Sequence, residues 1–352
     1  MRAFAFAPMP ARVLFGSGTL AQAGEELERL GVTRALVLST PEQADGAAAL
    51  AERLGDRAAG TCARAAMHTP VEVTEAARED LRASGADGFV SFGGGSTVGL
   101  GKALAVRTGL PHLAIPTTYA GSEMTDILGE SAGGGKTTRR AEAIRPAAVI
   151  YDLDLTLTLP VALSVTSALN ALAHAVEGLY APDCDPVTRL MAREACGAVA
   201  VALPRVVEAP DDREARGELL YAAWLCATVL GRTSMALHHK LAHVVGGAFG
   251  TPHAQTHAIL LPHTAGFNAP AVGEALAPLA DAFGTPVGPS LHRFARSVGT
   301  PTALRDLGVR EDDIPRVAAL AVRDPYANPR PFGQDDIETL LRAAWEGAPP
   351  PE

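Results

Sequence analysis

The sequence predicts an α/β nucleotide-binding domain over residues 1–152 followed by an all-α domain over residues 153–352. Two patterns and a length lead to that expectation. Up to Ile150 short apolar runs alternate with longer helix-like runs, the pattern of an open parallel sheet covered by helices. From Leu153 onward the strand-like runs stop, and alanine- and leucine-rich segments with helical spacing take over. A chain of 352 residues is also long enough for two domains of about 150 residues each.

Taken in order, Arg34–Ser39 reads as a buried strand and Ala47–Leu54 as the helix after it. Asp87–Phe92 is the next strand; a glycine run and the helical Leu100–Val106 follow. His112–Ile115 and Ala147–Ile150 supply two more strands. The helical half begins with Ser167–Tyr180, Thr188–Leu203 and Glu218–Leu230. The boundary is expected near Tyr151-Asp152, with the active site in the cleft between the halves, where open α/β sheets commonly bind ligands. The Pro-rich end, Gly347–Glu352, is expected to fray.

Composition narrows the function classes. Lys plus Arg number 30 against 39 Asp plus Glu, a net charge of −9 that suits a nucleic-acid backbone poorly. Cys62, Cys184, Cys196 and Cys226 form no CxxC pair, which argues against a disulfide scaffold and a cysteine zinc site. Pro8 and Pro10 interrupt any signal-peptide core. The most apolar stretches, near Ala195–Pro204 and Tyr221–Gly231, fall short of the roughly 18 residues a membrane helix needs. A cytoplasmic protein with neither membrane nor nucleic-acid partner is the expectation.

The glycine run Gly93-Gly94-Gly95-Ser96-Thr97-Val98-Gly99 leaves a strand and opens a helix. Without Cβ atoms the backbone can approach a pyrophosphate, and the helix N-terminus offers N–H groups and partial positive charge. The run is neither GxGxxG nor a Walker A loop, and a plain tight turn is its alternative. A second glycine-rich segment, Gly129–Thr137, has the wrong spacing for a P-loop, though Lys136 within it could contact a phosphate. Thr117, Thr118, Tyr119 and Ser122 follow the strand that ends at Ile115; their polar groups suit a ribose or phosphate, and equally suit ordinary loop chemistry.

Half of the ten histidines fall in segments 237–244 and 251–257. On a helix, His239 and His243 lie four apart on one face, as do Asn170 and His174, with Glu177 one turn on. Such a concentration points to a site rather than to packing. His174, His239 and His253 could hold a divalent transition metal, since imidazole suits Zn and Fe, but Asn170 is a neutral amide and a poor replacement for a carboxylate ligand.

Together these segments resemble the iron-containing alcohol dehydrogenase superfamily, with its dehydroquinate synthase-like architecture, and more closely its maleylacetate reductase branch. The resemblance runs from Phe15-Gly16-Ser17-Gly18 through Met67-His68-Thr69-Pro70, the glycine run and Pro116–Thr125. It continues through Asn170–Gly178 and His238–His243 to Asn328-Pro329-Arg330-Pro331. Two departures point to the branch: metal-dependent relatives usually carry Asp at the positions of Gly99 and Asn170.

The resemblance implies an NADH- or NADPH-dependent reduction of the carbon–carbon double bond of maleylacetate, a small dicarboxylate, to 3-oxoadipate, by a homodimer. It assigns the dinucleotide to Gly94, Gly95, Ser96, Thr97, Val98, Thr117, Thr118 and Lys136. Thr40 stands where some relatives have an acidic residue that holds the adenosine ribose, so discrimination between the two cofactors is expected to be loose. His243 and His253 are the candidates for enolate stabilisation and proton delivery, with His174, His239 and Asn170 positioning the substrate. Lys240 is the local cation for a substrate carboxylate; Arg232, Arg323 and Arg330 are further candidates. No resident metal is expected. A metal-dependent alcohol or aldehyde dehydrogenase on the same scaffold is the rival reading, and a dehydroquinate synthase-like lyase a more distant one.

Overall fold

The computed structural model describes residues 4, 6, 11–133, 135–323 and 326–351, and the Lys136 side chain lies outside that description. The described residues form two compact units, one within Ala7–Leu159 and one within Pro160–Glu352 together with Phe4 and Phe6.

In the first unit β1 (Arg12–Gly16) leads to α1 (Ala23–Arg29), β2 (Ala35–Leu38), α2 (Ala44–Leu54), β3 (Ala58–Cys62) and α3 (Val71–Ser84). Then come β4 (Gly88–Gly93), α4 (Gly95–Thr108), β5 (His112–Pro116), β6 (Ile127–Ala132), β7 (Gly135–Arg140) and β8 (Ala148–Asp152). Six strands form one sheet in the order β1-β8-β5-β4-β2-β3, every pair parallel. Alternate side chains build its two cores. Val37, Val90, Phe92 and Leu113 pack on one face with Leu27 and Leu50 of α1 and α2. Leu36, Leu38 and Phe89 pack on the other with Leu81, Leu100 and Leu104 of α3 and α4.

The four strands read from apolar runs are the inner ones, buried along their whole length. The sheet also has two edge strands that no apolar run announces: in β1 only Leu14 is buried, and in β3 only Cys62. Residues 127–140 are an antiparallel hairpin, β6–β7, so the glycine-rich segment around Lys136 is not a strand-to-helix phosphate turn. At the C-terminal end of β8 the Asp152 carboxylate accepts from Gly18 N at 3.0 Å and Leu20 N at 2.8 Å. The Phe15–Gly18 motif is thus tied back to the sheet.

The second unit comprises α5 (Val161–Tyr180), α6 (Pro186–Glu208), α7 (Arg213–Arg232), α8 (Leu237–Phe249), α9 (His253–Val272), α10 (Ala277–Phe283), α11 (Val287–Ser297), α12 (Ile314–Arg323) and α13 (Gln334–Glu346). No strand follows Asp152 among the described residues. Helix α5 is buried continuously from Ser164 to Leu179, which is why its sequence is apolar on every side. Asp185 and Asp212 cap α6 and α7 by accepting from the backbone N–H groups of each first turn. A separate core joins Leu237, Leu241 and Val245 of α8 to Leu260 of α9, Val317 of α12 and Ile337 of α13.

The end of the chain departs from the expected frayed tail. Pro350 is buried, and it packs against the closely apposed Gly266 and Gly288 of α9 and α11. Among the described residues no single helix is long and apolar enough to cross a membrane.

Candidate active site

In the sheet unit the site grows from the glycine turn between β4 and α4. Gly93 has φ +155, and a Cβ there would come within 2.6 Å of Gln43 Oε1, so glycine is required by both conformation and space. Gly94 caps α4, its carbonyl accepting from Thr97 N at 3.0 Å and Val98 N at 3.1 Å. Gly95 and Ser96 thereby present the first turn of a helix, the geometry that takes a phosphate. Thr97 and Val98 are buried beneath them.

The neighbouring strands supply the walls. Thr117, just past β5, donates its backbone N–H to Gly93 O at 3.2 Å, and its hydroxyl accepts from Gln43 Nε2 at 2.7 Å. Gln43, absent from the sequence reading, therefore ties the end of β2 to the end of β5 across the glycine turn. Thr118 and Ser122 are half-buried in the same connection, while Tyr119 is fully buried. The side chain of Lys136 lies outside the described residues.

Thr40 is half-buried beyond the end of β2 and precedes the tight turn Pro41–Gln43. The Glu42 carboxylate is held below its ordinary range by its own backbone N–H and by the Thr40 hydroxyl. Position 40 carries no acid, but the turn brings one back to it.

A Cβ at Gly99 would run into the hydroxyl of Thr69, which is itself fixed in a left-handed conformation at φ 47.

In the helical unit α5, α8 and α9 bring the imidazoles together. Glu177 of α5 is buried and stands at the start of α8, accepting from Ala236 N at 3.0 Å, His238 N at 2.8 Å and His239 Nδ1 at 2.6 Å. Burial pushes this carboxyl up, but the His239 contact and the other hydrogen bonds outweigh it and hold Glu177 below its ordinary value. An ionised Glu177 fixes the proton of His239 on Nδ1, which leaves its buried Nε2 as a lone pair with no partner among the described residues.

A second chain of contacts orients His257. The Thr264 hydroxyl donates to Leu260 O at 3.0 Å, so toward His238 Nδ1, at 2.9 Å, it can only accept. His238, pushed down to about 3 by burial and the neighbouring imidazoles, is neutral. With its proton on Nδ1, its Nε2 accepts from His257 Nδ1 at 2.9 Å. His257 is also held neutral by burial, and its remaining Nε2 is buried without a partner among the described residues.

The site residues read from sequence fall around these two devices. His174 of α5 is buried, kept neutral by burial, and packs against His239 with ring centres 5.1 Å apart and planes tilted by 30°. Asn170 lies one turn earlier, also buried. His243 and His253 face solvent, with ring centres 6.0 Å apart. One ring nitrogen from each of His243, His253 and His257 lies within 4.8 Å of the others, the grouping most able to share a metal ion among the described residues. That trio does not include His174 or His239, the histidines singled out with His253 as possible ligands.

Lys240 is half-buried, its ammonium 5.5 Å from the Tyr326 ring centre. Arg232 is committed to an ion pair with Asp185 at 2.9 Å, and Arg330 to Phe267, through its carbonyl at 3.0 Å and its ring at 4.1 Å. Sequence reasoning passed over His257, although it stands four residues after His253, the same spacing that drew attention to His239 and His243.

Two descriptions match the chain in tandem: iron-containing alcohol dehydrogenase over residues 10–153, and the C-terminal part of the Fe-containing alcohol dehydrogenase family over residues 164–345. The chain belongs to the iron-containing alcohol dehydrogenase family and is an oxidoreductase. It is 53% identical to a maleylacetate reductase of Rhizobium sp. (strain MTP-10005), over 99% of this chain and 100% of the relative. The crystal structure of maleylacetate reductase from Agrobacterium tumefaciens matches with TM-score 0.96 and 54% identity, covering 99% of this chain and 100% of that one. An iron-containing alcohol dehydrogenase from Corynebacterium glutamicum is more distant, with TM-score 0.92 and 39% identity over 98% and 97% of the two chains.

Proposed function

We propose that this protein reduces the carbon–carbon double bond of maleylacetate to give 3-oxoadipate, with NADH or NADPH as hydride donor. The observation that carries the reading is the run of imidazoles on α8 and α9 beside Asn170, in a chain whose full-length relatives are maleylacetate reductases. The double bond is conjugated to a ketone. A hydride added at the carbon β to that ketone drives the π electrons onto the ketone oxygen; the resulting enolate then takes a proton at the α carbon.

The residues divide this work by burial. His174, His238 and His257 are held neutral by their surroundings, so they can orient and hydrogen-bond but are poor sources of a proton. His243 and His253 face solvent and can be recharged from it, which favours them as oxyanion donor and general acid. His239, with its tautomer set by Glu177, offers a fixed acceptor beside them. Lys240 is the nearby cation for one carboxylate of the substrate.

The donor set does not fit a resident iron. Asn170 supplies a neutral amide where the resemblance implies a carboxylate in metal-dependent members, and Glu177 is already committed to four N–H donors. The closest grouping contains imidazoles only, two of them exposed. No step of the reaction is assigned to a metal, and activity should persist after chelation.

The same reading takes the protein to be a cytoplasmic homodimer without membrane or nucleic-acid partners. The net charge of −9 supports the last point, and it requires the anionic ligands to be held by local devices such as the α4 N-terminus. The test is the loss of NADH absorbance on adding maleylacetate to chelator-treated protein. No consumption with either reduced cofactor would overturn the proposal.

A further inference from the structure

Lys102 lies on α4, two turns beyond the glycine turn, with its side chain completely buried. Lysine is rarely buried in this way, because an ammonium loses its hydration and must be repaid in hydrogen bonds. Here a leucine or methionine would fill the same space. The ammonium donates to Ser122 O by a short contact, to Ser122 Oγ at 3.1 Å, to Thr125 Oγ1 at 2.7 Å and to Ile127 O at 3.0 Å. Ser122 and Thr125 belong to the connection between β5 and β6, and Ile127 is the first residue of β6. No carboxylate is among them, although burial pushes the lysine down to about 7 while the charges of Glu123 and Asp126 act to raise it.

The acceptors sit on the stretch of chain that also carries Thr117, Thr118 and Ser122. It is fixed from its other side as well: Glu123, buried in the turn Ser122–Met124, accepts from the Tyr151 hydroxyl of β8 at 2.6 Å. Thr125 Oγ1 closes the turn by donating to Ser122 O at 3.1 Å. Lys102 therefore links this turn to α4, the helix whose N-terminus follows the glycine turn.

We infer that Lys102 is a positioning residue for the dinucleotide: it fastens the hydroxyl-bearing β5–β6 connection to α4, so that the helix N-terminus and the hydroxyls hold one cofactor in fixed register. The inference rests on the cofactor reading above. It makes Lys102 a determinant of cofactor affinity without contact between its side chain and the cofactor.

The test is NADH binding, measured without substrate by fluorescence, beside steady-state kinetics of the same proteins. Lys102→Met should weaken NADH about tenfold or more, the equivalent of one lost charge-assisted anchor. kcat at saturating NADH should stay within about twofold, and KM for maleylacetate should not move. Thr125→Val removes one acceptor of almost unchanged shape and should weaken NADH about threefold, a milder form of the same loss. This second variant carries the test if Lys102→Met does not fold.

A folded variant that melts earlier but binds NADH as wild type does would show a purely structural lysine and overturn the inference alone. A fall in kcat with unchanged NADH affinity would overturn it too. Wild-type protein that binds neither NADH nor NADPH would overturn the cofactor reading itself.

Discussion

Replacing Glu177 by Gln changes almost no volume but reverses the logic of one end of the histidine cluster. The carboxylate accepts from four N–H groups, those of Ala236 N, His238 N, His239 N and His239 Nδ1, and from the Tyr180 hydroxyl. The amide can accept with one atom only. If its oxygen keeps His238 N, its NH₂ group faces three N–H donors, from Ala236 N, His239 N and His239 Nδ1. His239 can escape the clash by moving its proton to Nε2, the nitrogen now left as a lone pair. Hydrogen bonds to an ionised group contribute about 1.5–3 kcal/mol each, so losing the two short ones, from Ala236 N and His239 Nδ1, at this buried position should cost about 3–6 kcal/mol. An imidazole in the wrong tautomer should lower turnover by about 10²–10⁴-fold. Urea unfolding measures the first quantity, and kcat with maleylacetate the second. NADH affinity should be unchanged, because the device lies in the helical unit. A variant as stable and as active as wild type would refute the role of Glu177 in setting the tautomer.

Acid should destabilise the fold steeply. His112 and His263 are pushed down to about 3, by burial first and by Lys102 and His292 second. Both are neutral when folded and protonate when unfolded, so between pH 6.5 and about 3 the unfolded chain binds more protons. Stability must then fall with falling pH, by up to about 1.4 kcal/mol per pH unit for each imidazole. His263→Leu should remove one such contribution from the slope of unfolding free energy against pH, and an unchanged slope would contradict it. At the cofactor end, Glu42 beside Thr40 should repel a 2′-phosphate. Glu42→Gln should accordingly raise the NADPH-to-NADH ratio of kcat/KM by about tenfold, and a ratio that does not move would exclude Glu42 from cofactor choice.

The sequence was legible where burial is complete on both sides. Strands β2, β4, β5 and β8 show as unbroken apolar runs because both of their faces are covered. Edge strands β1 and β3 escape notice because one neighbour is missing and only one residue in each is fully buried, so nothing selects an apolar run. The β6–β7 hairpin is polar for the same reason.

In the site, spacing within one helix was readable: His239 with His243, and Asn170 with His174. The devices that give those residues direction were not. Glu177 reaches backbone N–H groups some 60 residues later in the chain, and His238 is oriented by His257 and Thr264 of the next helix. No local spacing encodes such contacts. Thr40 was judged by its own side chain alone, and the turn that returns Glu42 to it belongs to the backbone.

On the proposed mechanism hydride reaches a carbon–carbon double bond rather than a carbonyl carbon. Deuterium carried by NADH at its transferable position, given to chelator-treated protein with maleylacetate, tests it directly. The expected product is 3-oxoadipate with deuterium on the methylene β to the intact ketone, next to a carboxylate, and solvent hydrogen at the α carbon. Deuterium on a carbinol carbon, with the double bond retained, would contradict it and identify a carbonyl reductase.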